Sequence, residues 1–218
     1  MADGRTQASH RTDTPARRTG RVLPSLSAAL LVTSLLLPVW QVTLYAPQYP
    51  GGLRASVYLT RVAGDAAEIS TLNHYVGLPP LEGLAALERR LALPLVAAMA
   101  AAVAISATWR GAVRVLLQVP AILFPVGVAA DLTLWLWRMG HAIDPHAPIR
   151  IEPFMPPLVG RGQVMQFATH ATFGPGFAAA VAAAALLLVD MALQRRNRTA
   201  SQPSLPPAAR RPSWQEAR

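Results

Sequence analysis

The chain of 218 residues is 52% hydrophobic, has a mean hydropathy of +0.31 and carries only 14% charged residues; it is more apolar and less charged than a soluble domain, so its surplus apolar surface calls for a lipid solvent. Cysteine is absent, which removes disulfides, thiolate zinc sites, iron–sulfur clusters and covalent c-type haem, and leaves His, Met and carboxylate as the metal ligands. All 20 basic residues are arginine and the formal charge is +9, yet the arginines cluster beside apolar runs, which is a topology signal and not a nucleic-acid footprint.

Residues 1–22, with Arg5, Arg11, Arg17, Arg18 and Arg21, read as a disordered basic tail. The apolar run 23–45 is long enough to cross the membrane, since about 20 helical residues span a hydrocarbon core of about 30 Å. It is read as a retained span and not a cleaved leader, because Trp40 and Tyr45 supply an interfacial aromatic anchor. An outer loop over 46–90 opens on Pro47-Gln48-Tyr49-Pro50-Gly51-Gly52, a turn-forming stretch that redirects the chain. Asp65-Ala66-Ala67-Glu68 reads as a helix start with an acidic cap, leading into Ile69, Leu72, Tyr75 and Val76 at helical spacing, with Asn73 and His74 beside them. This helix is expected to lie on the membrane or on the helix bundle.

A second span is expected over 91–109, with Pro94 tolerated in its first turn. The third, 115–137, contains Pro120, Pro125 and Asp131 and reads as a kinked helix. Asp131 is an intramembrane carboxylate, weighed between a role in proton or ligand handling and a polar contact to Thr133 or a neighbouring helix. The second outer loop, 138–172, includes His141, Asp144, Pro145 and His146, then Glu152-Pro153-Phe154-Met155-Pro156-Pro157. Such proline density excludes regular helix and disfavours strand, while residues 163–170 read as a short surface helix. The fourth span, 173–193, is alanine-rich and suited to close helix packing. Its Asp190 has Arg195 or water within reach, and 194–218 read as a second disordered basic tail.

Thirteen arginines and three acids fall on the segments 1–22, 109–114 and 194–218, against seven arginines and six acids in the outer loops. The asymmetry predicts both termini in the cytoplasm of a bacterial inner-membrane protein. The expected fold is therefore an all-α integral membrane protein, a four-transmembrane-helix bundle with two structured periplasmic loops. The loops hold His74, His141, His146 and His170, with Met139, Met155 and Met165 nearby. Imidazole and thioether suit copper, so His74, His141, His146, Met155 and His170 are weighed as an outer-face copper site against purely interfacial histidines. No histidine lies inside a span, which weighs against a haem held between two helices; a haem at the outer surface, on His74 or His170, is the lesser alternative. No nucleotide-binding glycine loop, nucleophile elbow or metalloprotease motif occurs, so no catalytic role is assigned.

Pro38-Val39-Trp40, the stretch from Leu44 to Leu53 and Leu72-Asn73-His74-Tyr75-Val76-Gly77-Leu78 together resemble a family of small polytopic membrane proteins encoded in nitrous-oxide reductase gene clusters, chiefly of the clade II type. The stretch Ile143-Asp144-Pro145-His146-Ala147-Pro148-Ile149, with residues 156–160, is similar to that family's second outer loop. The resemblance covers roughly residues 38–193, with departures at Gly52, where an acidic residue is common, and Leu78, where Met is common. It implies an accessory membrane component of nitrous-oxide respiration, whose loops dock or assist the periplasmic copper reductase or its electron or copper supply. Pro47, Gln48, Tyr49, Pro50, Asn73, His74, Tyr75, Asp144 and Pro145 would carry that docking. Two readings from other classes stand beside it: a haem- or quinol-binding redox subunit near Trp135, Trp137, His74 and His170, and a small transporter component built on Pro120, Pro125 and Asp131.

Overall fold

The structure, a computed structural model, describes residues 15–164 and 166–200. Met165 and most of the two expected tails, 1–14 and 201–218, lie outside the described residues. In chain order the elements are helix α1 (Pro15–Leu36), strands β1 (Trp40–Ala46), β2 (Tyr49–Val57) and β3 (Val62–Gly64), helix α2 (Ala66–Tyr75), a 3-10 turn at Leu81–Gly83, helices α3 (Ala86–Ser106) and α4 (Ala112–His141), strands β4 (Gly160–Val164) and β5 (Phe167–Phe173), and helix α5 (Pro175–Ala200). The inner parts of both expected tails are therefore helical, within α1 and α5.

Three helices are long and apolar enough to cross a membrane, Ala86–Ser106, Ala112–His141 and Pro175–Asn197; the apolar part of α1, Arg21–Leu36, is shorter. The expected all-α four-helix bundle is thus corrected in two places. First, the apolar run 23–45 is not one span. The α1 helix stops at Leu36, and Pro38, which lacks an N–H and disfavours helical geometry in the residue before it, hands the chain to a strand. In β1, Trp40 and Ala46 are buried while Gln41 and Tyr45 are exposed, the period-2 pattern of a sheet with one covered face. Second, the two outer loops, read above as turns, proline-rich coil and short helices, contribute strands. They combine into one five-stranded antiparallel sheet of order β3-β2-β1-β5-β4. Strand β1 sits at its centre, pairing Trp40 with Val57 of the first loop and Gln41 with Thr172 of the second. The stretch expected as a helix at 163–170 is the β4–β5 hairpin, with Val164 opposite Phe167.

Below the sheet, α1 packs on α3 and α5, and α4 packs on α3 and α5, around a core that includes Leu31, Val96, Val103, Ala121, Ala183 and Leu187. Small residues bring α1 and α5 close, as expected for helices that associate without water to drive them. Ser27 Oγ donates to the Ala183 carbonyl at 3.1 Å, and the Gly176 N–H donates to the Pro38 carbonyl at 2.8 Å. A Cβ at Gly176 would stand 2.4 Å from the Leu37 carbonyl oxygen. These contacts make α1 and α5 antiparallel, with the sheet at one end. The start of α1, the α3–α4 turn and the end of α5 lie at the other end, where the arginines gather.

Helix α4 is 30 residues long against 21 for α3, so its last turns rise past the start of α3 and pack on the sheet. Leu136 meets Trp40 and Ala171 there, and the Trp40 indole N–H donates to the Leu158 carbonyl at 2.6 Å. Beside it, α2 covers β2 by placing Ile69 on Leu53 and Ala55. Asp65 precedes α2 as expected, but its carboxylate makes no cap. Instead Oδ2 accepts the Arg54 N–H at 2.8 Å while the Asp65 N–H donates to the Arg54 carbonyl at 2.8 Å. Two bonds thus stitch the start of the helix to the strand beneath it.

Candidate functional site

The end of α2 and the second outer loop, about seventy residues apart in sequence, meet on the surface of the sheet-bearing end. Here the Asp144 N–H donates to the Gly77 carbonyl at 2.9 Å and the Ile149 N–H to the Tyr75 carbonyl at 3.1 Å. Gly77 has φ of +77°, and a Cβ there would lie 2.8 Å from both the Ala147 Cβ and the Asp144 carbonyl oxygen. Only glycine combines that conformation with so close an approach. Within the loop, the Asp144 carboxylate accepts the His146 backbone N–H at 2.9 Å and contacts the His146 ring at 3.3 Å. That backbone bond, helped by the imidazoles of His146 and His74, holds the Asp144 carboxyl below the usual carboxylate range. His74, Tyr75, Asp144, Pro145 and His146 are exposed, whereas Asn73 and Val76 are buried. The segment therefore has two faces. One is presented to solvent, and the other, with Asn73 Nδ2 donating to the Pro79 carbonyl at 3.3 Å, points into the protein. Of the remaining docking residues, Pro47 and Gln48 form the exposed tip of the β1–β2 hairpin, with Tyr49 and Pro50 opening β2.

Beneath this surface a cavity of about 830 Å³ lies between the sheet and the facing sides of α3 and α4. Its roof includes Val42, Leu44 and Val57 of the sheet and Leu72, Asn73 and Val76 of α2 and its end. Its walls include Leu91, Leu95 and Met99 of α3 and Leu123, Phe124 and Leu132 of α4. The lining is apolar with few exceptions, among them Glu88 in the first turn of α3 and Asp131 of α4. Asp131 lies within electrostatic range of Glu88 across the cavity, and of Trp135 and Arg138 further along its own helix. The hydroxyl of Thr133 bonds instead to the Ala129 carbonyl at 2.7 Å. The Trp135 indole N–H is buried beside Asp131, whose carboxylate is its nearest acceptor though not in good hydrogen-bond geometry.

The histidines and Met155 weighed as copper ligands are distributed over several elements. His170 on β5 stands opposite Thr43 and Arg161; its neighbour Ala171 packs inward on Trp40 and Leu136, so strand alternation directs His170 away from the helices. His74 belongs to α2, on the other side of the sheet. His141, at the end of α4, stacks on Trp137 with ring centroids 4.6 Å apart and contacts the Trp137 carbonyl through Nδ1 at 2.8 Å. Met155 lines the cavity. Among the described residues, no three His, Asp or Glu side chains are grouped to hold a metal ion.

Sequence reasoning missed the principal polar site in the helix layer. Arg114 of α4 and Asp190 of α5 are 5% and 2% exposed and form an ion pair, with Arg114 Nη2 at 2.8 Å from both carboxylate oxygens and Nε at 3.2 Å from Oδ2. Gln118 Nε2 donates to Asp190 at 2.9 Å and to Ser106 Oγ of α3 at 3.1 Å, and Gln194 Nε2 donates to Asp190 at 2.6 Å. Three helices are tied at one carboxylate. Asp190 thus has Arg114 as a partner, beyond the expected Arg195 or water. Arg114 and Gln118 share one face of α4 at i, i+4, the one sequence signal that pointed to the cluster.

The chain matches no protein-family model and no curated protein sequence.

Proposed function

We propose that the protein is a non-catalytic accessory component of nitrous-oxide respiration in the bacterial inner membrane, its arginine-rich end in the cytoplasm and its sheet in the periplasm. In this reading the surface built by residues 73–77 and 144–149 docks the copper reductase or the protein that supplies it with copper or electrons. One observation carries the proposal: two of the segments that resemble the nitrous-oxide cluster family, distant in sequence, are joined by backbone hydrogen bonds into one exposed surface. Surfaces made from polar and aromatic groups on a rigid support suit protein recognition, and a sheet with a covered inner face is such a support. The arginine asymmetry supports the orientation. The histidines serve the surface individually, and the redox metals belong to the partner.

Deleting the gene should lower nitrous-oxide consumption while leaving oxygen respiration intact. A chromosomal Tyr75→Ala, His146→Ala variant, present in the membrane at normal amount, should reproduce the defect. Undiminished nitrous-oxide reduction in the deletion strain would refute the function; a deletion defect with full activity in the double variant would move the docking surface elsewhere.

A further inference from the structure

The cavity is not explained by a docking role. Its walls are two helices of membrane-spanning length, and its lining between Glu88 and Met99 covers roughly 16 Å of α3 at about 1.5 Å per residue. A groove of this depth at membrane level admits lipid chains, and about 830 Å³ falls within the range that encloses one small ligand. The polar groups lie at one level, near the start of α3: Glu88 and Asp131 on facing helices, and Trp135 one turn beyond Asp131. No ion pair joins either carboxylate to an arginine among the described residues. The buried indole N–H of Trp135 is directed toward the Asp131 carboxylate but not in good hydrogen-bond geometry, which leaves it open to a better-placed acceptor. Aromatic side chains line the same cavity, among them Trp40, Phe124, Phe154 and Phe167.

We infer that the cavity binds an isoprenoid quinol, its ring at the level of Asp131 and Trp135 and its tail running between α3 and α4 toward Met99. The headgroup must both donate and accept: a quinol hydroxyl donates to the Asp131 or Glu88 carboxylate, and its oxygen accepts from Trp135. A phospholipid headgroup fits less well at the level of Asp131, because its phosphate would stand beside two carboxylates; of the two arginines that also line the cavity, Arg89 donates to the Ala85 and Leu84 carbonyls and Arg161 belongs to β4 of the sheet. The flat ring suits aromatic walls, and the unsaturated tail suits an apolar groove that opens among membrane helices. Quinol binding of this kind stands or falls independently of the docking surface.

Gly127 provides the decisive variant. It lines the cavity within α4, and a Cβ built there meets nothing within 4 Å, so a larger side chain starts from open space, and Gly127→Phe is chosen to obstruct the groove. The purified protein would be titrated in detergent with decylubiquinol and with its oxidised quinone, following tryptophan fluorescence, and the lipid extracted from untreated protein would be quantified. Wild type should retain quinone in the extract and bind the quinol about tenfold more tightly than the quinone, the worth of one hydrogen bond to a charged group. Gly127→Phe should melt like wild type and bind both forms at least about tenfold more weakly, since its ring displaces the tail. Glu88→Gln with Asp131→Leu, which removes both carboxylates, should keep quinone binding and lose the preference for quinol. Equal affinity of wild type and Gly127→Phe, equal affinity for the two redox forms, or extraction of phospholipid without quinone would each overturn the assignment.

Discussion

Removing the Asp190 carboxylate should be the most damaging single change in the helix layer. In Asp190→Ala the Arg114 guanidinium, 5% exposed, loses both oxygens it contacts at 2.8 Å, and Gln194 loses its 2.6 Å acceptor. Gln118 keeps only Ser106. Breaking a buried pair by removing one partner costs about 3–5 kcal/mol, because the other charge stays buried and uncompensated. For a chain of this size, at about 2–4 °C per kcal/mol, the expected loss in Tm is roughly 10 °C. Thermal unfolding in detergent, followed by tryptophan fluorescence, measures it. Arg114→Ala should be less harmful, since the orphaned carboxylate can take up a proton and keep Gln118 and Gln194 as partners. Arg114→Met with Asp190→Leu, which removes both charges and restores volume, should recover most of the loss. The test of coupling is the cycle with Arg114→Ala, Asp190→Ala. If the two single losses add within about 0.5 kcal/mol in the double variant, the two residues do not act as a unit, and an uncompensated charge is not what destabilises Asp190→Ala.

Gly77→Ala should separate the second outer loop from α2, because the added methyl must enter the 2.8 Å space before Ala147 and Asp144 at a φ of +77°; a cost of about 1–3 kcal/mol should appear as faster amide exchange at Asp144 and Ile149, and unchanged exchange there would contradict it. The Asp144 carboxyl is held below its ordinary value by the His146 N–H, so its contribution is present above the unfolded pKa of about 3.9 and is lost as pH falls through the lower folded value. The His146 amide, once its exchange is corrected for intrinsic pH dependence, should therefore lose protection only in acid, and Asp144→Ala should remove that pH dependence. An acid-insensitive wild type would show that the bond contributes nothing to holding the loop.

The sequence disclosed α3, α4 and α5 to within a few residues at most ends, because long apolar runs leave few alternatives in lipid. It also disclosed the start of α2 at Asp65. What it hid was the sheet. Trp40-Gln41-Val42-Thr43-Leu44-Tyr45-Ala46 alternates polar and apolar groups over part of its length, but the run abuts an apolar helix and merges with it when length is the criterion; Pro38 is the marker of the change. Residues 167–173, Phe-Ala-Thr-His-Ala-Thr-Phe, place β-branched and aromatic residues in the pattern of a strand, yet the local partner, β4, is a short glycine-containing run behind a proline-rich loop. The other partner is β1, more than 120 residues earlier. The Arg114–Asp190 pair was equally out of reach. Both residues stand near the arginines that gather at one end of the helices, and their meeting, 76 residues apart, is a consequence of how α4 and α5 pack.

The cavity follows from a mismatch in length that the packing cannot remove. An antiparallel sheet set on membrane helices must cover its inner face, and here two elements divide that cover between them, the end of α4 beneath β1 and β5 and α2 beneath β2. Because α3 begins near the level of Asp131, no long helix rises under the sheet between them, and apolar side chains such as Val42 and Leu95 face the gap. Two other seams are held by hydrogen bonds. Small residues join α1 to α5 within hydrogen-bond distance, and the Arg114–Asp190–Gln118 network ties α3, α4 and α5 at the opposite end. Any loosening of α4 against α3 is therefore easiest at the sheet end, where the roof is the inward face of the same α2 segment whose outward face meets the second loop. A partner that shifted that surface would move Leu72, Asn73 and Val76 over the cavity, so the proposed docking surface and the proposed lipophile site share one structural element.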